Sequence, residues 1–153
     1  MNGCIVCGVD GSTDSQAALA VAADLAARLR LRLIMANIVE PVHAPYADSM
    51  FGGVLSQPGL PTTDREEAVA RGLLTRLSAE RGLEGTDRRV VVGYAAERLA
   101  ELAEEEDAEL IVVGCRGRGA FKAAFLGSVS TSLIGVARCP VLVVPPGAVH
   151  APR

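Results

Sequence analysis

The chain is poor in aromatics, lysine and histidine, and each shortage narrows the functions open to it. With no Trp, two Tyr and three Phe in 153 residues, it has little with which to stack a flat ring. A base or ring ligand would rest on aliphatic walls and backbone instead. Lys122 is the only lysine, and the remaining cations are arginines interspersed with acids to a net charge of −3. No basic block or arm is present, which argues against nucleic acid as a partner. No apolar run reaches the roughly 18 residues of a membrane-spanning helix, and the start does not resemble a signal segment. A soluble, cytoplasmic protein is expected. The two histidines, His43 and His150, fall in a loop and in the tail with no partner motif.

The four cysteines, Cys4, Cys7, Cys115 and Cys139, make no disulfide framework. Cys4 and Cys7 have C-x-x-C spacing, but they lie in an apolar run that reads as a strand. Residues three apart on a strand face opposite ways, so the pair reads as buried thiols rather than a chelate.

What the chain has in quantity is Ala, Val, Leu and Ile, within a hydrophobic share of 50%. The length suits one domain spanning 1–153. Short apolar runs read as strands at Cys4–Val9, Leu33–Val39, Arg89–Val92, Leu110–Val113 and Val141–Val144. Between them lie helical periods. The first is capped among Ser12, Thr13 and Asp14 and turns Ala18, Ala22, Leu25 and Leu29 inward. The second opens on a capping box, Thr63-Asp64-Arg65-Glu66, buries Val69, Leu73 and Leu77, and stops at Gly82. The third starts at Ala95 or Ala96 and buries Leu99, Leu102 and Ala103; its acidic end, Glu104 to Asp107, reads as a solvated face. The fourth runs from about Ser128 to Ala137. Residues 41–61 carry four prolines and no period, a long loop that reads equally as a lid over a ligand or as a disordered or partner-covered insertion. The tail from Gly147 reads as frayed. Strands alternating with helices specify an α/β domain: an open, mostly parallel five-stranded sheet with helices on both faces. Ligands of such sheets bind beyond the carboxyl ends of the strands, where the strand order reverses.

The stretch Val112 to Ser130, V-V-G-C-R-G-R-G-A-F-K-A-A-F-L-G-S-V-S, stands out. It is a strand, a glycine-rich excursion and a helix start bearing a hydroxyl, the ingredients of an anion cradle. Gly114 and Gly117 are expected to permit positive φ and to let backbone approach oxygens. Gly127 and Ser128 would supply N–H donors and a hydroxyl. A Walker A loop is absent, and Gly117-Arg118-Gly119 fails as a dinucleotide fingerprint because Lys122 stands at its third glycine position. The turn Gly8-Val9-Asp10-Gly11-Ser12 lacks the pattern of an ATP pyrophosphatase loop.

What fits is G-x-x-G, nine residues, then G-S, at Gly114, Gly117, Gly127 and Ser128. Together with Gly8-Val9-Asp10-Gly11-Ser12, Asp107 to Gly114 and Cys139 to Pro145, this spacing resembles the universal stress protein family over nearly the whole chain. The motif is that of the family's ATP-binding members. The resemblance implies a Rossmann-like fold of the adenine nucleotide alpha hydrolase kind, with ATP and Mg²⁺ as ligands. Asp10 would sit by ribose and phosphates and serve as the metal ligand, with Gly11 beside it. Ile38 would offer backbone groups to adenine, and Val113 and Gly114 would flank the nucleoside. Gly117, Gly127, Ser128 and Val129 would surround the phosphates, with Arg116, Arg118 and Lys122 adding positive charge. Cys115, Asn37 and Tyr94-Ala95 depart from residues common in the family. The resemblance further implies a homodimer paired through Val141–Val144. No nucleophile, base and orienting group come together in the sequence, so a nucleotide-binding regulatory protein with slow or no hydrolysis is expected. A nucleotide-independent interaction module and a slow ATPase or autokinase stay open as alternatives.

Overall fold

A computed structural model describes residues 3–41, 64–117 and 126–148. The loop reading beyond Pro41, the Thr63 cap, Arg118, Lys122, both histidines and most of the tail lie outside these residues.

Five strands are present: β1 (Cys4–Gly8), β2 (Arg32–Val39), β3 (Asp87–Val92), β4 (Ala108–Gly114) and β5 (Val141–Val144). They form one sheet in the order β3-β2-β1-β4-β5, and every pair is parallel. The sequence led to a mostly parallel sheet; the observed one is wholly so. Each crossover between neighbours must travel back along the sheet, and helices α1 (Thr13–Leu29), α2 (Asp64–Glu80), α3 (Ala95–Glu105) and α4 (Ser128–Val136) do so.

The sheet is buried on both faces because β1 is apolar at every position. Its period of two sends Ile5 and Cys7 to one side and Cys4 and Val6 to the other. On the first side Ala18, Leu19 and Ala22 of α1 and Leu74 and Leu77 of α2 pack over Met35 and Val112. On the second, Leu99, Leu102 and Ala103 of α3 and Leu133 of α4 cover Ile34, Ile111 and Val113. Cys4 and Cys7 therefore occupy different cores, and both are free thiols.

Two local expectations, on α2 and at the end of α1, are corrected. The buried stripe of α2 runs through Ala70, Leu74 and Leu77, while Val69 is 64% exposed. The apolar arc of α2 is wider than its core contact: Leu73 packs only partly against the core, and both Val69 and Leu73 line a cleft. Leu29, expected inward, is 59% exposed because α1 ends there and Arg30 turns left-handed at φ 56°. The acidic end of α3 is solvated as expected, with Glu104, Glu105 and Asp107 exposed and Glu106 half-buried, and it is also paired. Glu106 pairs with Arg32 at 3.3 Å and Arg89 at 3.0 Å, and Glu104 pairs with Arg138 at 2.7 Å. Arginines brought from β2 and β3 thus offset the like charges at that helix end.

The chain runs outward from β1 to β2 and β3, then returns to β4 and β5 on the other side of β1. The order reverses between β1 and β4, so the turns after these two strands flank the crevice expected of such sheets.

Candidate functional site

The turn after β1 is fixed by its own polar side chains. Asp10 Oδ1 accepts the Ser12 N–H at 2.9 Å, an Asx turn, and Gly11 takes φ 85°, a region glycine enters without strain. Ser12 then caps α1, its Oγ accepting the Ser15 N–H at 3.1 Å. The Asp10 N–H donates back to Ser15 Oγ at 3.3 Å. Beside this turn the end of β2 is tied in by Asn37, whose Nδ2 donates to the Val9 carbonyl at 2.7 Å.

The segment after β4 is held at Cys115 and Arg116 and closely packed at Gly114 and Gly117. An ideal Cβ on Gly114 would lie 2.6 Å from the Asp14 carbonyl carbon and 2.8 Å from Ser15 N. Cys115 donates its N–H to Val144 O at 2.9 Å, and its carbonyl accepts the Gly127 N–H at 2.8 Å. The Ser130 hydroxyl lies 3.1 Å from that same carbonyl and 3.1 Å from Gly127 O. Arg116 donates both N–H at 3.1 Å and Nε–H at 3.3 Å to Asp14 Oδ2. A Cβ on Gly117 would meet Asp10 Oδ2 at 2.8 Å. Neither Gly114 nor Gly117 is among the positive-φ glycines, which are Gly11, Gly82, Gly93 and Gly147. The expected reason for the two glycines is corrected accordingly. Their missing side chains admit the first turn of α1 and the Asp10 carboxylate, not a left-handed backbone.

These turns enclose a cleft of about 1090 Å³. Of the residues marked in the sequence, Asp10, Ile38, Val113, Gly114, Arg116, Gly117, Gly127, Ser128 and Val129 line it. Gly11 does not; it shapes the turn that presents Asp10. All four helices place residues of their first turns in or beside it, α2 through Arg65 and Glu66, and the ends of α1, α3 and α4 differ. The first turn of α1 is satisfied by Ser12 and carries Asp14. At α3 the Glu40 carboxylate accepts the Ala95 N–H at 3.4 Å. Helix α4 begins at Gly127, which has no side chain to cap it, with Ser128 exposed at its first position. An anion seeking backbone donors and a favourable dipole finds them at α4. Elsewhere the cleft wall has an aliphatic stretch, Ala36, Ile38, Leu73, Leu99 and Val113, beside the polar Asn37, Glu40, Arg65 and Glu66.

The profile of the universal stress protein family matches residues 1–145. The chain belongs to the universal stress protein family. A universal stress protein of Thermus aquaticus is 34% identical over 140 residues, covering 92% of this chain and 96% of that one. Among solved structures, the universal stress protein UspA of Lactobacillus plantarum superimposes with a TM-score of 0.73. It covers 93% of this chain and 97% of its own, and at 24% identity it speaks for the fold. A universal stress protein solved in complex with cAMP is 31% identical, with a TM-score of 0.63 over 95% of this chain and 98% of that one.

The sequence reading missed six polar residues of this universal stress protein's cleft region, among them Arg65 and Glu66, read only as part of a capping box. Ser15 and Ser130 are buried and join the two turns internally; Ser15 stands three residues after the cap, a spacing that could have drawn notice. Asp14 was marked only as a possible cap and is instead a tie to Arg116. Glu40 appeared only as a strand terminator. Nothing in spacing announces contacts between residues 102 apart. Among the described residues no three His, Cys, Asp or Glu side chains group together as a metal site. No described helix is long and apolar enough to cross a membrane.

Proposed function

We propose that this universal stress protein binds ATP with Mg²⁺ in the cleft between the turns after β1 and β4, as a cytoplasmic regulatory protein. The observation that carries the reading is the bare N-terminus of α4, set at the topological switch point and facing Asp10 across glycines packed too tightly for side chains. Ser128 and Val129 would receive the phosphates through backbone N–H groups and the Ser128 hydroxyl; Gly127, expected from the sequence to add a donor, already gives its N–H to Cys115 O and would contribute only the room its missing side chain leaves. Ile38 and Val113 would hold adenine between aliphatic surfaces, with backbone groups at the end of β2 reading its edge. That arrangement answers the scarcity of aromatics. The cAMP-bound relative supports an adenine nucleotide as the ligand class.

Mg²⁺ fits because the cleft wall is rich in carboxylates. Asp10, Glu40 and Glu66 line it against Arg65 and Arg116, and Arg116 is already paired with Asp14. Phosphates beside Asp10 need a cation between them. Mg²⁺ is commonly held by one or two carboxylates together with substrate phosphates. Bound there, it would offset phosphate charge. Asp10 would orient it or accept ribose hydroxyls, and the described cleft wall offers carboxylates but no lysine or histidine for proton transfer. Nucleotide occupancy rather than turnover is the proposed output. A homodimer through β5 accompanies it, since that strand is paired on one side only among the described residues. The alternative, a module indifferent to nucleotide, rests on the same open edge. The test is to denature freshly purified protein and identify the released small molecule by mass spectrometry. An adenine nucleotide near one per chain is expected; a different ligand class in that amount overturns the proposal.

A further inference from the structure

We infer that Asp14 is a positioning residue for the phosphate end of the cleft. It makes no proposed contact with the ligand, and it sets the loop that receives the phosphates. The inference rests on the nucleotide reading above and names a residue which that reading does not use.

Asp14 sits in the first turn of α1, and its side chain is 10% exposed. A single oxygen, Oδ2, accepts both the main-chain N–H and the Nε–H of Arg116, at 3.1 and 3.3 Å. The other fixings of this loop are neutral: Cys115 to Val144, Gly127 and Ser130. They anchor residue 115 and leave the chain beyond it to turn. Asp14 is the charged tie that stops Arg116, and so determines where Gly117 lies against Asp10 Oδ2. The close packing of Gly114 on the Asp14 backbone brings that carboxylate under the loop in the first place.

The chemistry has two possible signs. A buried carboxylate close to incoming phosphates repels them, and it draws the Arg116 guanidinium away from them. It also holds the loop in its receiving shape before any ligand arrives. We assign the second effect as dominant. The Asp14 charge is compensated locally, by Arg116 and by the positive end of the α1 dipole, so little of it reaches the cleft. A hydrogen bond to a charged group, once lost, is worth about a tenfold change in affinity where it preorganises a site.

The experiment measures affinities of wild type, Asp14→Ala and Asp14→Asn for Mg-ATP and for adenosine by titration calorimetry, with melting curves as a check on folding. Adenosine engages the aliphatic half of the cleft and not the loop. Asp14→Ala is expected to lose roughly tenfold in ATP affinity and to keep its adenosine affinity. Asp14→Asn, which retains an acceptor oxygen for the Arg116 N–H, is expected to fall between, and it carries the comparison if the alanine variant is unfolded. Equal losses for both ligands, unchanged ATP affinity, or tighter ATP binding would each overturn the assignment. A wild-type protein that binds neither ligand overturns the nucleotide reading itself, and the inference with it; a wild type that binds both separates the two.

Discussion

Gly114 and Gly127 look alike in the sequence and do different work. Gly114 has Asp14 backbone where its Cβ would be, at 2.6 Å, so any side chain must push α1 off β4. Overpacking of this kind costs ~1–3 kcal/mol where side chains can yield, and backbone yields less. Gly114→Val should therefore lower the melting temperature by roughly 5–10 °C in the absence of nucleotide. A thermal scan of the nucleotide-free protein checks this, and an unchanged curve would contradict the packing role. Loss of ligand binding in such a variant says little about direct contact. The spacing of Gly114, Gly117, Gly127 and Ser128 was legible in the sequence, but the reason for the first two glycines was not. It depends on what α1 and Asp10 bring from the far end of the sequence, Asp14 and Ser15 against Gly114 and Asp10 against Gly117.

Cys7 shows the same contrast between composition and place. Its thiol, fully enclosed under α1, is pushed up from the ordinary 9.0 to about 12 by burial. The folded state therefore keeps its proton where the unfolded chain has lost it. The stability this contributes is fully present below pH 9.0 and is lost as pH rises toward about 12. Urea unfolding of wild type and Cys7→Val across that window should show the wild type losing stability faster. Parallel curves would mean that the thiol ionises equally in both states.

At the scale of elements, the strands and helices were legible because apolar runs of strand length alternate with helical periods. Faces were less so. Val69, Leu73 and Leu77 make as good a stripe as Ala70, Leu74 and Leu77, and only the cleft decides which is buried. Strand β5 carries the clearest element-level consequence. The Ile111 N–H donates to Pro140 O and the Cys115 N–H to Val144 O. Alternation along the strand then directs the N–H groups of Val141 and Val143 to the open edge. Val143→Pro would remove an outward donor and leave the pairing with β4 intact. If two copies pair through this strand, the substitution should convert a dimer to a monomer in sedimentation while the fold persists. A variant that remains dimeric places the interface elsewhere.

For the whole molecule, the sheet order puts an uncapped helix, a carboxylate turn and an aliphatic wall around one crevice. The crevice was foreseeable from the fold class. The internal ties of Asp14, Asn37 and Ser130 that give it shape were not, because each joins segments distant in sequence. The central claim is that this crevice takes an adenine nucleotide through the start of α4. Titration calorimetry of the intact protein with Mg-ATP, paired with melting curves, tests it most directly. The expected result is saturable binding at one nucleotide per chain. A hundredfold excess over the dissociation constant should also stabilise the fold by about 2.7 kcal/mol. No heat and no shift in melting temperature at millimolar Mg-ATP would contradict it.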